Sequence, residues 1–540
     1  MILFLWLIVE MPTYTVDTVR VLGTRLAPGL GGVLSSVFVL DSAWLDRAPG
    51  PFVENAIGLV PGFWMRARGL AGVQADLGAG PGNYTQTAVL LNGVRLDDSQ
   101  TAHHLFDLPL GLCELGRVEV ARGGSSGLAG PGASCGAVNL LTGEPVNGQE
   151  AGAFAGSFGT ALGFAEAGNG KLGLGLAGAR SDGYRPGSDY TRWSVSSRGE
   201  LVGANFFAGY SQKGFGARDF YAPYPSREWT SCGVLTANWQ GFSIGARRHR
   251  DRFVLVEDDP SIYENNHLKT FLLCSWGTGL GPGFAGAEAS WWELNSDRLG
   301  YHQAPGAGLF YQASLGVLAL GLREDWRQGS GFATSVNAGL VMGTGRARGR
   351  LVLSSATRFP SATEMFYDDP GNAGNLDLRP ERVDRAELGV SGRGFEASLF
   401  GTWFHQLIDW VKQGDGPWQA TNLNGVHASG ASAGFTNRWL IAGYAFCKTW
   451  GAEDIVSKYA LVSPTNSVKL GTPWFFLSWE DGVCLASCRL SWGKGPLRLS
   501  FLGDNLLNQS YEPVPGLPGP GRSLGVELRW SGTRAREIVP

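Results

Sequence analysis

Two patterns of hydrophobic and polar positions divide this chain near residue 145. Beyond that point, residues 172–176 alternate leucine with glycine, and residues 524–530 alternate apolar side chains with glycine or charged ones. Residues 202–210 likewise keep apolar side chains on one parity. Successive side chains of a β-strand point to opposite faces, so each segment predicts a strand with one apolar and one small or polar face.

The pattern before residue 145 is mixed. Residues 51–60 carry apolar side chains at the spacing of one helical face, and Pro61 and Gly62 end the predicted helix. Apolar runs predict three short strands, at residues 88–91 with a turn at Asn92 and Gly93, at residues 117–122 and at residues 136–142. We therefore predict a small mixed α/β domain over residues 25–145 and a strand-rich domain over residues 146–531.

Composition turns the strand pattern into a membrane hypothesis. The 540 residues include 81 glycines, 19 tryptophans and 28 phenylalanines, yet the mean hydropathy is -0.04. A transmembrane β-barrel alternates lipid-facing apolar residues with small or polar lumen-facing ones, so its hydropathy cancels along the strand. Periodicity alone leaves a soluble β-sandwich or propeller open, although no repeat of about 40–50 residues supports a propeller.

Several functional classes find no support. The net charge of -3 and the pI near 6.2 predict no basic surface for nucleic acid. No catalytic motif pairs a nucleophile with a base, so we expect no enzymatic activity.

The seven cysteines form no metal-binding spacing, and Cys113 and Cys135 are the pair considered for a disulfide. In an extended chain, His103 and His104 point apart and make a poor metal pair.

A resemblance to a known family rests on blocks that run along nearly the whole chain. Residues 59–62, 72–76, 89–104, 117–124 and 130–142 are similar, in this order, to the plug domain of TonB-dependent outer-membrane receptors, and particularly to the cobalamin-receptor-like branch. Further blocks resemble the barrel of that branch, at residues 215–226, 357–381, 504–511 and 518–522. The chain is therefore identified as a member of this family.

The resemblance implies an all-β fold: a 22-stranded antiparallel transmembrane β-barrel with a small mixed α/β N-terminal plug domain inside the lumen. The residues after position 145 leave room for about 22 strands, and about 18 or 20 would also fit. The family implies a monomer in the cell outer membrane of a Gram-negative-type bacterium, inserted into lipid by the barrel-assembly machinery. It implies active import of a corrinoid such as cobalamin, or of a ferric siderophore, driven by the TonB protein. A passive binding protein or adhesin is the alternative.

A short segment near the N-terminus resembles the TonB box, which binds the energy-coupling partner. Its residues are Asp17, Thr18, Val19, Arg20 and Val21, and with the linker that follows it spans residues 17–24. Alternating valines favour an extended backbone that can add as a strand to a partner sheet. The segment could otherwise be the first strand of the plug. Residues 1–16 carry an apolar run suited to a truncated secretory signal.

The resemblance also places candidate ligand-binding residues at the apex of the plug. They offer amides, carboxylates, a phenol and imidazoles: Gln74, Asp76, Asn83, Tyr84, Gln86, Asp98, Gln100, His103 and His104. Ordinary solvated loops are the competing explanation. Aromatic residues at positions 220, 221 and 224 could stack on a planar ligand or belong to an interfacial girdle. No cofactor is expected; Asp258 and Asp259 are candidate calcium ligands, although a solvated acidic loop is the commoner case.

Three departures from the family pattern concern assembly. Residues 77–82 lack the arginine that usually helps to seat the plug in the barrel, and Ala129 stands where the family has tyrosine. The last predicted strand reaches Trp530, which we expect to serve as the aromatic signal read by the assembly machinery. Residues 532–540 are then a C-terminal tail.

Overall fold

Short helices and a small sheet make up the first domain. A computed structural model describes residue 34 and residues 36–532, except residues 345–346, 413, 452–454 and 459–462. The elements of this domain are α1 (Ser42–Asp46), α2 (Val53–Ile57) and α3 (Ser126–Ala129), with strands β1 (Ser36–Asp41), β2 (Phe63–Ala67), β3 (Ala75–Ala79), β4 (Thr87–Leu91), β5 (Val94–Arg95), β6 (Leu115–Arg122) and β7 (Gly136–Thr142). Short 3-10 turns lie at Tyr84–Gln86, Ala102–His104 and Leu112–Glu114.

The main sheet of the first domain has the order β1-β6-β7-β4-β5, with β4 and β7 parallel, while β2 and β3 form a separate hairpin. The predicted helix and the three predicted strands are confirmed. Asn92 and Gly93 both have positive φ, +53° and +78°, which is the conformation that a two-residue hairpin turn requires. No helix among the described residues is long and apolar enough to cross a membrane.

The second domain consists of strands joined by turns and loops. Its elements are β8 (Asn147–Gly156), β9 (Thr160–Asn169), β10 (Leu172–Ser181), β11 (Tyr190–Leu201), β12 (Ala204–Gly216), β13 (Arg227–Trp239), β14 (Phe242–Val254), β15 (Glu264–Leu280), β16 (Gly283–Ser296), β17 (Gly300–Leu315), β18 (Leu318–Arg327), β19 (Gly331–Thr344), β20 (Ala347–Arg358), α4 (Ala362–Phe366), β21 (Asp368–Asp369), β22 (Asn372–Ala373), β23 (Glu381–Gly392), β24 (Phe395–His405), β25 (Leu407–Lys412), β26 (Trp418–Leu423), β27 (His427–Thr436), β28 (Ile441–Trp450), β29 (Val456–Ser457), β30 (Asn466–Gly471), β31 (Phe475–Glu480), β32 (Val483–Lys494), β33 (Leu497–Asp504) and β34 (Ser523–Ser531).

Twenty-two of these strands form one closed antiparallel barrel, which confirms the predicted strand number. The barrel closes where β34 pairs with β8, with Trp530 opposite Ala151. At one end of the barrel the connections between strands span two to four residues. At the other end the longest connections are residues 359–380 and 406–426. Outer-membrane barrels have short periplasmic turns and long extracellular loops, so the end with the long connections faces outward.

The outer surface of the barrel is apolar. Leu174 and Leu176 are 63% and 61% exposed, whereas Glu527 and Arg529, on the inward parity of β34, are 1% and 7% exposed. This distribution confirms the alternation read from the sequence. One detail was wrong: Val202 was placed in a strand, but it lies in the tight turn between β11 and β12, with a φ of +52°.

The first domain fills the lumen as a plug. Its core is continuous with inward side chains of the wall such as Phe207 and Ile441. Glycine on the inner wall permits this close approach: a Cβ at Gly245 would lie 2.6 Å from Val94, and a Cβ at Gly209 would lie 2.8 Å from Pro109. Glycines at these two inner positions therefore serve packing between plug and wall.

Other arginines seat the plug in place of the one missing from residues 77–82. Arg122 forms an ion pair with Glu396 of the wall. Arg66 pairs with Glu480 at 2.9 Å, and Arg95 lies 3.8 Å from Glu288. The departure from the family pattern thus does not leave the plug without ionic contacts to the barrel.

A small sheet of extracellular connections lies beside the outer mouth. Strands β21, β22, β26, β25 and β29 form it in that order. Helix α4 reaches the plug, since the backbone amides of Ala362 and Thr363 donate to the carbonyls of Ser99 and Gln100, both at 3.0 Å. The loops and the apex of the plug are therefore in direct contact.

Some sequence predictions fall outside the described residues: the signal segment 1–16, the TonB box with its linker at 17–24, and the tail from residue 533 onward. Trp530 is described, and its role in assembly stays a prediction. All seven cysteines are free thiols, so the considered pair of Cys113 and Cys135 is not a disulfide.

The outward face of β10 allows a test of lipid exposure. We expect Leu176→Arg, in the middle of the strand, to destabilise the receptor folded in lipid vesicles. The free energy of unfolding should fall by about 2–4 kcal/mol, because the change moves a charge into hydrocarbon. Urea titration of the folded fraction measures this change. Val202→Arg, at a turn, is the control and should cost only about 0–1 kcal/mol. Equal costs for the two variants would contradict a hydrocarbon-facing strand.

Candidate functional site

Six side chains form what we term the apical cluster: Arg68, Gln74, Asp76, Tyr84, His103 and Tyr221. The hairpin of β2 and β3 positions Arg68 and Asp76, which form an ion pair. Nδ1 of His103 lies 2.7 Å from Oδ1 of Asp76, and its Nε2 lies 3.0 Å from the Tyr84 hydroxyl. The His103 and Tyr84 rings stack with centroids 4.2 Å apart. The turn Ala102–His104 thus presents His103 to the hairpin.

The protonation states in the apical cluster follow from burial and charge. Burial alone would raise the pKa of Asp76, but the charge of Arg68 and the hydrogen bond from His103 lower it below its usual value. Burial lowers the pKa of His103 despite the nearby carboxylate. At neutral pH, therefore, a neutral His103 donates its Nδ1 proton to an anionic Asp76 and accepts from Tyr84.

A cavity of about 910 Å³ adjoins this cluster, between the plug and the wall. Its lining includes Arg68, Asp76, Tyr84 and Tyr221, and extends from Tyr511 in the extracellular connection 505–522 to Phe476, beside a short turn at the opposite end. The cavity thus follows the barrel wall over much of its height.

Tyr221, in the extracellular connection 217–226 between β12 and β13, brings an aromatic surface to the apical cluster. It is 48% exposed, and its hydroxyl lies 3.0 Å from the amide nitrogen of Gln74. The Arg68 guanidinium lies 5.7 Å from the centre of the ring. Aromatic faces with a few polar groups are typical of sites that orient a ligand.

A second group of charged side chains lies between the plug and strands β12–β15. We term it the interface cluster: Asp98, His104, Asp107, Lys213, Glu228, Arg247, His249, Asp251, His267 and Lys269. Inward positions of neighbouring strands supply the wall residues, with His249 opposite Lys269 and Asp251 opposite His267 in the register of β14 and β15. All members except Lys213 and Asp98 are buried residues, and the side chain of Asp98 is itself fully buried.

Ion pairs across the interface cluster fix the apical loop of the plug to the wall. Asp98 lies 3.2 Å from Nζ of Lys269 and 3.8 Å from Arg247. Burial would raise the pKa of Asp98, but these two cations outweigh it and lower the pKa to about 2. Burial, followed by the charge of Lys269, lowers the pKa of His104 to about 4, so this imidazole is neutral at pH 7.

The nine predicted ligand residues divide between these environments. Asp76 and Tyr84 line the cavity, and Gln74 and His103 contact residues that line it. The other five make contacts within the plug or with the wall. Asn83 and Gln86 hydrogen-bond to each other, and Gln86 also donates to Glu381 at 2.6 Å. Gln100 accepts from Lys269 at 2.8 Å, beside Asp98, and His104 belongs to the interface cluster.

The calcium candidates lie on an exposed extracellular connection. Oδ1 of Asp259 accepts from the amide and hydroxyl of Ser261, at 3.2 and 2.6 Å, so this carboxylate stabilises a turn. Among the described residues, the groups with metal-ligand spacing contain neither Asp258 nor Asp259. Calcium binding there stays a prediction.

Several site residues were missed from the sequence. Arg68 directly follows β2 and belongs to no recognisable motif. Arg247, His249 and Asp251 occupy the inward parity of β14, opposite the parity of Ile244 and Ala246. Charged side chains on the lumen parity of a barrel strand are a signal that could have identified this trio.

Comparison with protein families decides the identity of the fold. Residues 31–137 match the TonB-dependent Receptor Plug Domain. Residues 147–517 match the family described as TonB dependent receptor-like, beta-barrel. The chain belongs to the TonB-dependent receptor family. As a member with a closed 22-stranded barrel, this TonB-dependent receptor lies in the outer membrane.

Individual relatives of this TonB-dependent receptor differ in what they bind. The Vitamin B12 transporter BtuB of Vibrio vulnificus (strain CMCP6) is 28% identical over 128 residues, 24% of this chain and 21% of the relative. The match therefore spans about a fifth of that relative's length. The siderophore receptor PirA from Acinetobacter baumannii is 12% identical with a TM-score of 0.68, covering 93% of this chain and 99% of PirA. The copper transporter OprC is 16% identical with a TM-score of 0.69, covering 93% and 99%.

Asp98 provides a test of how the receptor's plug is held. We expect Asp98→Asn to lower the free energy of unfolding at pH 7 by about 2–3 kcal/mol, because Lys269 and Arg247 lose a buried anion. The folded pKa of Asp98 lies below its ordinary value, so its contribution is present above about pH 4 and is lost towards pH 2. The difference between variant and wild type should shrink over that range in urea titrations.

The control for this test is Asp377→Asn, at an exposed carboxylate of the connection 359–380. It should change stability by less than about 0.5 kcal/mol. A penalty for Asp98→Asn that stays constant between pH 4 and pH 2 would refute the assigned ion pairs.

Proposed function

We propose that this receptor is an active importer that takes up a corrinoid across the outer membrane with energy from TonB. The observation that carries the proposal is the cavity beside the apical cluster, which begins under the extracellular loops and follows the plug toward the periplasmic end. A ligand bound at the outer part of this cavity would contact the plug directly. Displacement of the plug would then open the remaining path.

The composition of the outer cavity supports a large polar ligand. Its volume of about 910 Å³ lies near the upper end of the roughly 300–1,000 Å³ typical of small-molecule sites. Tyr84 and Tyr221 offer aromatic surface, and Arg68 and Gln74 offer hydrogen-bond donors. A corrinoid, with a wide ring system and peripheral amides, matches this combination.

Sequence similarity favours the corrinoid over other ligands. A relative with 28% sequence identity over 128 residues is a vitamin B12 transporter. The siderophore and copper proteins share only the fold at 12% and 16% identity, and one fold supports many ligands. A ferric siderophore is the second ligand class, because anionic chelates would suit Arg68 and Lys458 at the cavity.

Energy coupling separates an importer from a passive binding protein or adhesin. A β-barrel has no nucleotide site, so uphill transport requires work delivered from outside. Residues Asp17 to Val21 would bind TonB by strand addition, in which backbone hydrogen bonds provide most of the affinity. A passive receptor would bind ligand equally well but would gain nothing from this segment.

Variants at Val19 test the coupling segment. We expect Val19→Pro to abolish uptake of labelled ligand into cells without changing binding to the cell surface, because proline removes a backbone donor from the added strand. Val19→Thr is the matched control, since threonine keeps the β-branched shape and the amide. Full uptake by Val19→Pro, or by a deletion of Asp17 to Val21, would favour the passive alternative.

Ligand affinity tests the outer cavity. We expect the refolded receptor to bind cyanocobalamin more tightly than ferric catecholate or ferric hydroxamate siderophores in titration calorimetry. Tyr221→Ala should weaken that binding by about tenfold or more, because a buried aromatic contact contributes on the order of 1–2 kcal/mol. Tyr301→Ala, on the exposed face of β17, is the control and should leave affinity unchanged. Tighter binding of a ferric siderophore would replace the corrinoid assignment.

A further inference from the structure

Two imidazoles of the interface cluster each lie between two carboxylates. Nδ1 of His104 lies 3.2 Å from Oδ2 of Asp107, and its Nε2 lies 3.4 Å from Oε1 of Glu228. Nε2 of His249 lies 3.0 Å from the same Oδ2 of Asp107, and its Nδ1 lies 3.6 Å from Oδ1 of Asp251. All five side chains are at least nine-tenths buried.

The four ring nitrogens of these two imidazoles each face a carboxylate. A metal-bound imidazole gives one lone pair to the ion and keeps one N–H for a second partner, so each ring offers one ligand atom and one donor here. Nδ1 of His249 and Oε2 of Glu228 are buried without a hydrogen-bond partner. A lone pair directed at a buried carboxylate is unfavourable unless a cation lies between them.

Asp107 is the carboxylate that both imidazoles share. Nζ of Lys213 lies 2.5 Å from Oδ1 of Asp107, which leaves Oδ2 of that carboxylate to face both imidazoles.

The spacing of the three inner atoms fits a small divalent ion. His104, Asp107 and His249 each offer one ligand atom, and these three atoms lie within 4.8 Å of one another. Ligand atoms about 2.0–2.1 Å from a tetrahedral zinc ion lie roughly 3.3–3.4 Å apart. The observed nitrogen-to-oxygen separations of 3.2 and 3.0 Å are close to this edge length.

We propose that His104, Asp107 and His249 bind a zinc-type divalent ion that joins the plug to the barrel wall. His104 and Asp107 come from the plug, and His249 comes from β14, so one ion would bridge the two domains. The ion would use the lone pairs that face Asp107. The remaining N–H groups would then point at Glu228 and Asp251.

Glu228 and Asp251 complete the arrangement as orienting groups. Histidines that ligate metals almost always donate the other ring N–H to a carboxylate or carbonyl, which fixes the ring and its tautomer. Both histidines here have such a carboxylate on the far side. A salt-bridged network without a metal would not require this pairing at both rings.

Metal content after refolding tests the site. A receptor without a histidine tag is refolded in detergent with a slight excess of ZnCl2, desalted, and measured by mass spectrometry of the metal. We expect about one zinc per chain for the wild type and less than about one-tenth for His249→Ala, because the ion loses a ligand. Glu228→Gln should retain the site with an affinity about 10- to 100-fold lower.

His267→Ala is the matched control, because His267 is buried on the neighbouring strand with its Nε2 4.0 Å from Asp251 and does not face Asp107. This variant should retain about one zinc per chain. Absence of zinc in the wild type, or equal zinc in His249→Ala and the wild type, would overturn the proposal. Neither result depends on ligand import, so the proposed function would stand or fall separately.

A spectroscopic measurement avoids reliance on the folding of the variants. Wild-type receptor refolded with CoCl2 should show the visible d–d absorption of cobalt in a four- or five-coordinate nitrogen and oxygen site. A spectrum equal to that of aqueous cobalt would count against the site even if every histidine variant failed to fold. Addition of zinc should bleach the band by displacing the cobalt.

Discussion

The fold depends on one constraint: within hydrocarbon, every backbone donor and acceptor must find a partner inside the protein. Pairing of β34 with β8, through the register that sets Trp530 opposite Ala151, removes the last free edge. Closure at 22 strands creates a lumen too wide for side chains alone to fill. The plug is the consequence, because an empty lumen would leave an open channel through the membrane.

Filling the lumen with a separate domain creates an interface that is polar on both sides. The inner wall carries charges because the outer wall takes the apolar residues of each strand. Removed from water, these charges need partners, and the plug supplies them at Asp98, Arg66 and Arg122. The plug is thus held by ionic contacts as well as by apolar packing.

Alternation and turn residues were enough to predict the plug strands, the helix at residues 51–60 and the two-faced barrel strands, because these depend on local spacing. The number of strands required the family resemblance, since chain length alone allowed several values. Partners across the lumen could not be predicted: Asp98 meets Lys269, and His104 meets His249, only after closure and plug insertion. For the same reason, a sequence search for metal spacing finds no ligand set that spans residues 104–249.

Adjacent histidines show how the two clusters are joined. The 3-10 turn Ala102–His104 sends His103 toward the cavity and His104 toward the wall. One planar peptide bond therefore separates a side chain of the apical cluster from a side chain of the interface cluster. The next residues along the chain, Leu105 to Asp107, extend the same link to Lys213. This one turn therefore contributes residues both to the edge of the cavity and to the attachment of the plug to the wall.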